Sequence, residues 1–219
     1  MPSVHDPLQV IFYVIIFAGC IFILYLLQNF YRKKKRNARL AYEGKMAVGL
    51  ELNQLMLEGY HVHHDFAADH FNIGHIVVGR SGIFTVETNT RSKPRGADGR
   101  QGATVEYNGK MLNFPDGEDF KIIEHAEQQA SWLSEWISRA IGEPVAARAI
   151  VALPGWSVKR TSADGISVVN PSQFTSLFKH IKPRILTDEM ITRIVDQLEQ
   201  KCRDGAPDAV ADDSAQPMA

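Results

Sequence analysis

The middle of this chain carries the side chains most able to do chemistry. One acid, Glu87, ends an apolar run, and a basic loop with Arg91, Lys93, Arg95 and Arg100 follows it. Cations in such a loop can bind a phosphate backbone. A solvated surface loop accounts for the same cations equally well. The pattern therefore predicts either a nucleic-acid contact or an ordinary loop at this place.

Histidines are frequent shortly before Glu87, which raises the question of a metal site. Their spacing matches no recognised ligand pattern. In a strand, His61 and His63 face one side and His64 faces the other, so only a subset could converge on one ion. We therefore favour structural histidines at these positions: His61, His63, His64, His70 and His75.

A predicted hairpin positions Glu87. Residues 73–89 form two strand-like runs joined at residues 79–82, whose two glycines allow the positive φ of a tight turn. We expect Gly74 and residues 83–87 to lie on adjacent antiparallel strands. By strand alternation, four apolar side chains should pack in the core: Ile76, Val78, Phe84 and Val86.

The remaining elements follow from periodicity and turn signals. Asn108-Gly109 predicts a second hairpin between the short runs TVEY and KMLNF. Trp132 and Trp136 are four residues apart and so share a helical face, which favours core packing over base stacking. Helices are predicted over residues 41–58, 120–141, 171–180 and 187–202, and strands over 62–66, 147–153 and 166–170. Gly59 should end the first of these helices. This order of helices and strands indicates an α/β fold.

A membrane anchor is predicted near the N-terminus. No charged side chain occurs between Pro7 and Tyr31, and the eighteen residues 10–27 hold thirteen Val, Ile, Leu or Phe. As a helix they would reach about 27 Å, close to the roughly 30 Å hydrocarbon core of a bilayer. A cleaved signal peptide fits poorly, because basic residues before the run and a small-residue cleavage site after it are both missing. A buried soluble helix would have a polar face.

Charge predicts the orientation of this anchor. Residues 32–39 contain six Lys or Arg, whereas residues 1–9 contain one fixed charge, Asp6. The positive-inside rule then places residues 1–9 outside, a transmembrane helix at 10–31, and the following domain in the cytoplasm. The basic run could also bind nucleic acid, although its position favours a topology determinant that attracts membrane lipid. The two cysteines, Cys20 and Cys202, are too separated in this arrangement to pair, which agrees with a reducing compartment.

Bulk charge gives no separate sign of nucleic-acid binding in the predicted cytoplasmic domain, residues 40–203. It holds 18 Lys and Arg against 20 Asp and Glu. The tail, residues 204–219, carries four Asp and no Lys or Arg and is predicted to be disordered.

The segment FNIGHIVVGRSGIFTVETNTRSKP resembles the core of the NERD, or nuclease-related, domain. GKMAVGLELNQLMLEGY resembles that family's first helix, HAEQQASWLSEWI its glutamine-bearing helix, and ARAIVALPGW the strand that follows, so the resemblance covers residues 42–156. The family is similar to the PD-(D/E)XK nucleases. The resemblance implies a restriction-endonuclease-like mixed sheet flanked by helices, preceded here by a single transmembrane helix.

The resemblance also implies a site for metal-assisted phosphodiester hydrolysis. In such a site two carboxylates hold Mg²⁺ and a lysine stabilises the attacking water or the developing charge. Glu87 matches the glutamate of the family's Glu-x-Lys, but Asn89 stands at the lysine position and Gly74 at the aspartate position. Lys45 stands where many relatives have a glutamate, from where its ammonium could reach Glu87. The helix glutamine is matched by Gln128 or Gln129.

These departures leave alternative functions open. A catalytically impaired domain that binds nucleic acid or protein is favoured, in which case no cofactor is needed. An active Mg²⁺-dependent nuclease would need relocated groups, with Asp65 or Asp69 as the second acid and Lys93 or Lys45 as the cation. A purely structural partner of other membrane proteins is a third interpretation, and the sequence names no protein partner.

Overall fold

The computed structural model describes residues 7–91, 103–181 and 186–205. Contacts divide the chain into two compact units, Met1–Tyr42 and Glu43–Ala219. The described part of the first, residues 7–42, is helical. The second contains nine strands within the described residues, arranged in two sheets. The predicted disorder of the tail falls on residues 206–219, outside the described residues, whereas Asp204 and Gly205 belong to the last helix.

The first helix, α1, runs without a break over Pro7–Met56. The helix predicted from residue 41 is therefore part of a longer helix, and the bounds of the membrane helix at 10–31 and the basic segment at 32–39 stay predictions. The basic segment, residues 32–39, contains no proline or glycine, and seven of its eight residues are Lys, Arg or Ala, which are good helix formers, so nothing local stops the helix. The end was predicted correctly: Gly59, with φ of 87°, lies in the turn, where its N–H donates to the carbonyl of Met56.

In the first unit the apolar side chains of α1 whose burial the structure describes are exposed, including Phe17, Phe22 and Leu24 at 68%, 61% and 64%. One helix of the described residues is long and apolar enough to cross a membrane, with an 18-residue window of mean hydropathy 1.5. Length and composition thus agree with the predicted anchor.

The second unit is built on a five-stranded sheet in the order β1-β2-β3-β7-β9. Strands β1, β2 and β3 are antiparallel neighbours, and β7 and β9 add in parallel. The bounds are β1 His61–Ala67, β2 Asn72–Gly79, β3 Gly82–Thr88, β7 Ala147–Ala152 and β9 Ser167–Val169. The predicted hairpin is confirmed, with Arg80 and Ser81 in its turn, and so is the mixed sheet.

Helices cover both faces of this sheet. Ile76 and Val78 belong to a cluster with residues of α2 (Lys121–Ile141) and α4 (Asp188–Gly205). Phe84 and Val86 pack with Leu52 of α1 and with α3 (Phe174–His180), which follows a 3₁₀ turn at Pro171–Gln173. All four predicted core side chains of the hairpin are at most 1% exposed. The expected α/β class, a mixed sheet flanked by helices, is confirmed.

A second sheet, in the order β6-β5-β4-β8, was not predicted. Its strands are β4 Thr104–Tyr107, β5 Leu112–Phe114, β6 Gly117–Asp119 and β8 Ser157–Arg160. The predicted hairpin at Asn108-Gly109 joins β4 to β5, and β8 adds in parallel to β4. Trp156, fully buried, packs edge-on against Phe114 at 5.0 Å between ring centroids.

Candidate functional site

Glu87 lies near the end of β3, between two partner strands. The pairing of β2 with β3 matches His75 to Val86, and one further step of that register brings Gly74 opposite Glu87. On its other side Glu87 is paired with Val151 of β7. The predicted adjacency of Gly74 and residues 83–87 is therefore confirmed. A side chain at Gly74 would start 3.4 Å from the carbonyl oxygen of Val86, so the backbone leaves room for one.

The side chain of Glu87 faces helix α2. Gln129 Nε2 donates a 2.8 Å hydrogen bond to Glu87 Oε2, and His125 Nδ1 lies 3.7 Å from Glu87 Oε1. Gln129 Nε2 also approaches His125 Nδ1 at 3.4 Å. We refer to Glu87, His125 and Gln129 as the Glu87 cluster. Its carboxylate is 23% exposed and its imidazole 48% exposed, so solvent and small ions can reach both groups.

Of the two glutamines that the sequence left open, Gln129 contacts Glu87. Gln129 is fully buried, on the same helical face as Ala126, Ala130 and Leu133, whereas Gln128 is exposed. Position 129 therefore lies on the side of α2 that packs on the sheet. The Oε1 atom of Gln129 is buried without a hydrogen-bond partner among the described residues.

Sequence reasoning missed His125. The signal was present, because His125 precedes Gln129 by four residues and two residues at that spacing share a helical face. Its ring also meets Phe71 at 6.4 Å between ring centroids. An imidazole adds a nitrogen donor to the carboxylate and the amide of the cluster.

Lys45 and the alternative acids have other partners. Lys45 Nζ lies 3.5 Å from Asp65 Oδ1, with both side chains more than half exposed. The expectation that the Lys45 ammonium pairs with Glu87 is therefore wrong: the helix directs it to the edge strand β1 instead. Asp69 pairs with Lys201 at 3.5 Å. The two acids considered as replacements for the missing aspartate are thus both engaged with lysines at the surface.

Asn89, at the family's lysine position, follows β3 directly. Its backbone N–H donates to the carbonyl of Ala152 at 3.0 Å, which continues the pairing of β3 with β7. Its side chain ends in a neutral amide, which stabilises an anion far less than an ammonium does.

Arg91, predicted to bind nucleic acid, is held within the fold. Its guanidinium lies 3.1 Å from Asp116 and 3.5 Å from Asp119, and stacks 4.4 Å from the centroid of the Phe114 ring. Its carbonyl accepts a hydrogen bond from Trp156 Nε1. Arg91 therefore connects the segment that follows β3 to the second sheet. The other predicted nucleic-acid contacts, Lys93, Arg95 and also Arg100, lie outside the described residues.

A second polar cluster lies on the opposite face of the sheet, against α1. His64 Nδ1 and His75 Nδ1 are 2.7 Å apart, and His64 Nε2 lies 3.3 Å from Asn53 Oδ1 of α1. We refer to Asn53, His64 and His75 as the His75 cluster. Burial, and next the neighbouring His64, lower the pKa of His75 to about 4. His75 is 5% exposed, which identifies it as a structural histidine.

Aromatic packing near the site belongs to the core. Trp132 and Trp136 are stacked with ring planes 9° apart, and Phe66 and Phe71 pack around them. Both tryptophans are half-buried against the cluster of α2, α4 and the sheet, which agrees with the predicted core role.

The residues around Glu87 do not fit the Mg²⁺ site of a nuclease. Mg²⁺ prefers oxygen ligands in near-octahedral geometry, and one carboxylate, already facing Gln129 and His125, is what this position offers. Gly74 supplies no ligand, and Asn89 no charge. Across the described residues, no group of three or more His, Cys, Asp or Glu side chains is placed to hold a metal ion.

Comparison with known proteins gives one match. The family model for the nuclease-related domain, NERD, matches residues 40–154, which is more than half of the chain. No curated protein and no solved structure matches. The matched range begins within α1, ends just after β7, and includes Glu87, His125 and Gln129.

Proposed function

Because this chain belongs to the nuclease-related domain family, we propose that it is a membrane-anchored member of that family, catalytically impaired, that binds nucleic acid or protein. One observation carries the proposal: the position across from Glu87 is a glycine, and the carboxylate of Glu87 faces an amide and an imidazole. The cation of the family's motif is replaced by the neutral Asn89. The fold is retained while the groups that perform hydrolysis are not.

The physical reason is electrostatic. In metal-dependent phosphodiester hydrolysis, the metal ion and a nearby cation stabilise negative charge that develops on the phosphate. Removing one preorganised donor of an oxyanion site typically costs about 10² to 10³ in rate. Loss of a metal ligand at Gly74 and of the ammonium at Asn89 should bring cleavage close to background.

A nuclease assay on the full chain in detergent tests this proposal. With Mg²⁺ or Mn²⁺ and single- or double-stranded substrates, we expect the unmodified protein to cleave at background. The double variant Gly74→Asp with Asn89→Lys restores the family's groups and should gain metal-dependent cleavage. The matched control is Gly74→Asn with Asn89→Lys, which has nearly the same shape at position 74 without the charge and should remain inactive.

The same assay distinguishes the competing function, an active nuclease with relocated groups. His125, an imidazole beside Glu87, is the observation that favours this second function. If it were correct, the unmodified protein would cleave robustly with Mg²⁺, and Glu87→Ala would abolish that cleavage. Such a result would overturn the impaired-enzyme proposal.

Nucleic-acid binding is tested separately from cleavage. We expect the full chain to bind labelled oligonucleotides in a manner that weakens as salt rises, since phosphate contacts release counterions. Lys93→Ala with Arg95→Ala should weaken binding, whereas Lys159→Ala, in strand β8 and paired with Glu106, should not. No measurable oligonucleotide binding at low salt would leave protein binding as the remaining branch, to be pursued by crosslinking in cells.

We further propose that the N-terminus lies outside and the domain in the cytoplasm. The asymmetry between the single charge of residues 1–9 and the six cations of residues 32–39 supports this orientation. A reporter active only in the cytoplasm should work when fused after Ala219. Neutralising Arg32, Lys33, Lys34, Lys35 and Arg36 should weaken the orientation, whereas replacing the three lysines by arginine should not. A cytoplasmic N-terminus in the unmodified protein would contradict the proposal.

A further inference from the structure

We propose that the solvent-facing side of α1 between residues 46 and 57 is an interaction surface for a second copy of this chain. Seven side chains of this stretch are exposed, and none of them is charged. The inference goes beyond the proposed function, because it concerns what covers this surface and not whether the chain cleaves or binds nucleic acid. We refer to these side chains as the α1 outer face: Met46, Ala47, Leu50, Asn53, Gln54, Met56 and Leu57.

The largest apolar side chains of the α1 outer face lie far from the core. Met46, Leu50 and Leu57 are 50%, 63% and 91% exposed. Positions 46, 50, 53 and 57 recur at spacings of four, three and four residues, so they follow one side of a helix. A hydrogen bond from the Leu57 N–H to the carbonyl of residue 54 continues the turn past the end of α1. The opposite side of the helix packs on the central sheet through three fully buried side chains: Val48, Leu52 and Leu55.

The other two long helices of the second unit differ from α1 in this respect. Surface helices normally carry charged side chains on the solvent side. The exposed faces of α2 and α4 do so, with Lys121, Glu124, Glu127, Glu135 and Arg139 on the first and Asp188, Glu189, Asp196, Glu199 and Arg203 on the second. An exposed apolar stripe without charges has instead the composition of the centre of a protein interface, where charged residues are depleted and Met is enriched.

The chemistry of the α1 outer face favours its own copy as the partner. In a two-fold contact the same patch is present on both sides, so a charged patch would repel its copy and an uncharged one does not. Leu50 and Asn53 lie in the middle of the stripe, nearest to such an axis. An amide both donates and accepts hydrogen bonds, so Asn53 can pair with Asn53 of the second copy. A bilayer surface fits less well, because helices that lie on membranes carry Lys or Arg, and residues 46–57 contain neither.

The small size of the α1 outer face indicates where the dimer forms. Its three helical turns are about 18 Å long, and such a contact buries less than the roughly 1,200 Å² of a stable soluble interface. Two copies anchored in one bilayer meet at a much higher effective concentration than two free proteins. This step rests on the membrane anchor of the proposed function. We therefore expect the dimer in membranes.

Energy transfer between full chains in phosphatidylcholine vesicles tests the proposal, with donor and acceptor fluorophores fused after Ala219 on separate copies. We expect transfer above the level of random encounters at the same protein density. Leu50→Glu places like charges against each other and should raise the dissociation constant by at least about tenfold. The matched control is Phe120→Glu, the same kind of change at an apolar side chain that is 55% exposed outside α1, which should leave the dissociation constant unchanged.

Crosslinking locates the contact independently of the charge variant. In a chain with Cys20→Ala and Cys202→Ser, Leu50→Cys should give a disulfide-linked dimer on oxidation, whereas Glu135→Cys, at an exposed position of α2, should not.

Four results would overturn the proposal. They are a monomer in vesicles, a dimer that Leu50→Glu leaves intact, equal crosslinking at positions 50 and 135, and quenching by brominated lipid of a fluorophore attached at Leu50→Cys. A dimer that survives Leu50→Glu would assign the contact to another part of the chain, and lipid quenching would assign the face to the bilayer. Failure of the anchor itself would appear in the orientation reporter, and cleavage by the unmodified protein would overturn the impaired-enzyme proposal alone.

Discussion

The two faces of the central sheet carry polar clusters of opposite kind. The clusters are neighbours in the sheet, because His75 pairs with Val86 and Glu87 is the next residue of β3. We call the His75 cluster, against α1, closed because its central imidazole is buried: His75 is 5% exposed and its Nδ1 lies 2.7 Å from that of His64, whereas His64 and Asn53 are exposed. The Glu87 cluster, against α2, is open, and its carboxylate and imidazole both reach solvent. A closed cluster, built around a buried imidazole whose Nε2 has no hydrogen-bond partner among the described residues, titrates at the expense of stability. An open one retains capacity for a ligand.

The largest difference between the clusters should appear on acidification. The folded-state pKa of His75, about 4, is depressed below its usual 6.5 by burial and then by His64, although Asp65 acts in the opposite direction. The neutral form is therefore favoured by folding, so stability is fully present above pH 6.5 and is lost as pH falls toward 4. By linkage, the free energy of unfolding should fall by about 2 kcal/mol between pH 7 and pH 5 from this group.

Urea unfolding of the full chain at several pH values measures this effect. In His75→Gln the part of the fall that His75 supplies, about 2 kcal/mol between pH 7 and pH 5, should be removed, whereas His61→Gln, at an exposed histidine, should retain it. A His75→Gln variant with the pH dependence of the unmodified protein would show that the closed cluster does not govern acid stability.

On the face of the sheet that carries the Glu87 cluster, the buried amide of Gln129 should contribute more to the free energy of unfolding than the carboxylate of Glu87 to which it donates a hydrogen bond. Gln129→Ala removes a fully buried side chain and the donor to Glu87, and should lower the free energy of unfolding by about 1 to 2 kcal/mol. Glu87→Gln keeps an acceptor for Gln129 and should cost less than about 1 kcal/mol. The neighbouring exposed Gln128→Ala is the control, expected within about 0.5 kcal/mol of the unmodified protein. Equal losses at positions 128 and 129 would contradict the assignment of Gln129 to the site.

The sequence predicted the parts of this fold that depend on local signals. The β2–β3 hairpin has apolar alternation and glycines at both ends of its turn, and Asn108-Gly109 marks the second hairpin, so both could be located. Helix α2 has a regular apolar stripe. Because these signals lie within a few residues of the structure that they specify, the sequence alone predicts that Gly74 and Glu87 lie on adjacent strands.

Long-range partners explain what the sequence could not predict. Strand β8, SVKR, is short and largely exposed and has no apolar alternation; it forms because β4, more than 50 residues earlier, offers a parallel edge. Arg91 was expected to bind phosphate, but its partners Asp116 and Asp119 come from the second sheet. The direction of Lys45 likewise depends on how α1 meets β1, which no local pattern encodes.

The smallest effects should come from Lys45 and Asp65, the pair beside the closed cluster. Both side chains are more than half exposed, so Lys45→Ala and Asp65→Asn should each change the free energy of unfolding by less than about 0.5 kcal/mol. Asp65 has a second property, a positive φ of 49°, which Asn tolerates and Ala does not. Asp65→Ala should therefore cost about 1 kcal/mol more than Asp65→Asn.

The comparison of these three variants separates the charge of Asp65 from its backbone. Equal losses of unfolding free energy in Asp65→Asn and Asp65→Ala would mean that the ion pair, and not the left-handed backbone conformation, determines the contribution of Asp65 to stability. A loss well above 1 kcal/mol in Lys45→Ala would mean that the ammonium is more strongly coupled than an exposed pair allows. Either result would weaken the contrast between the closed and the open cluster. The strand register brings Asp65 across from Gly74, which is itself across from Glu87.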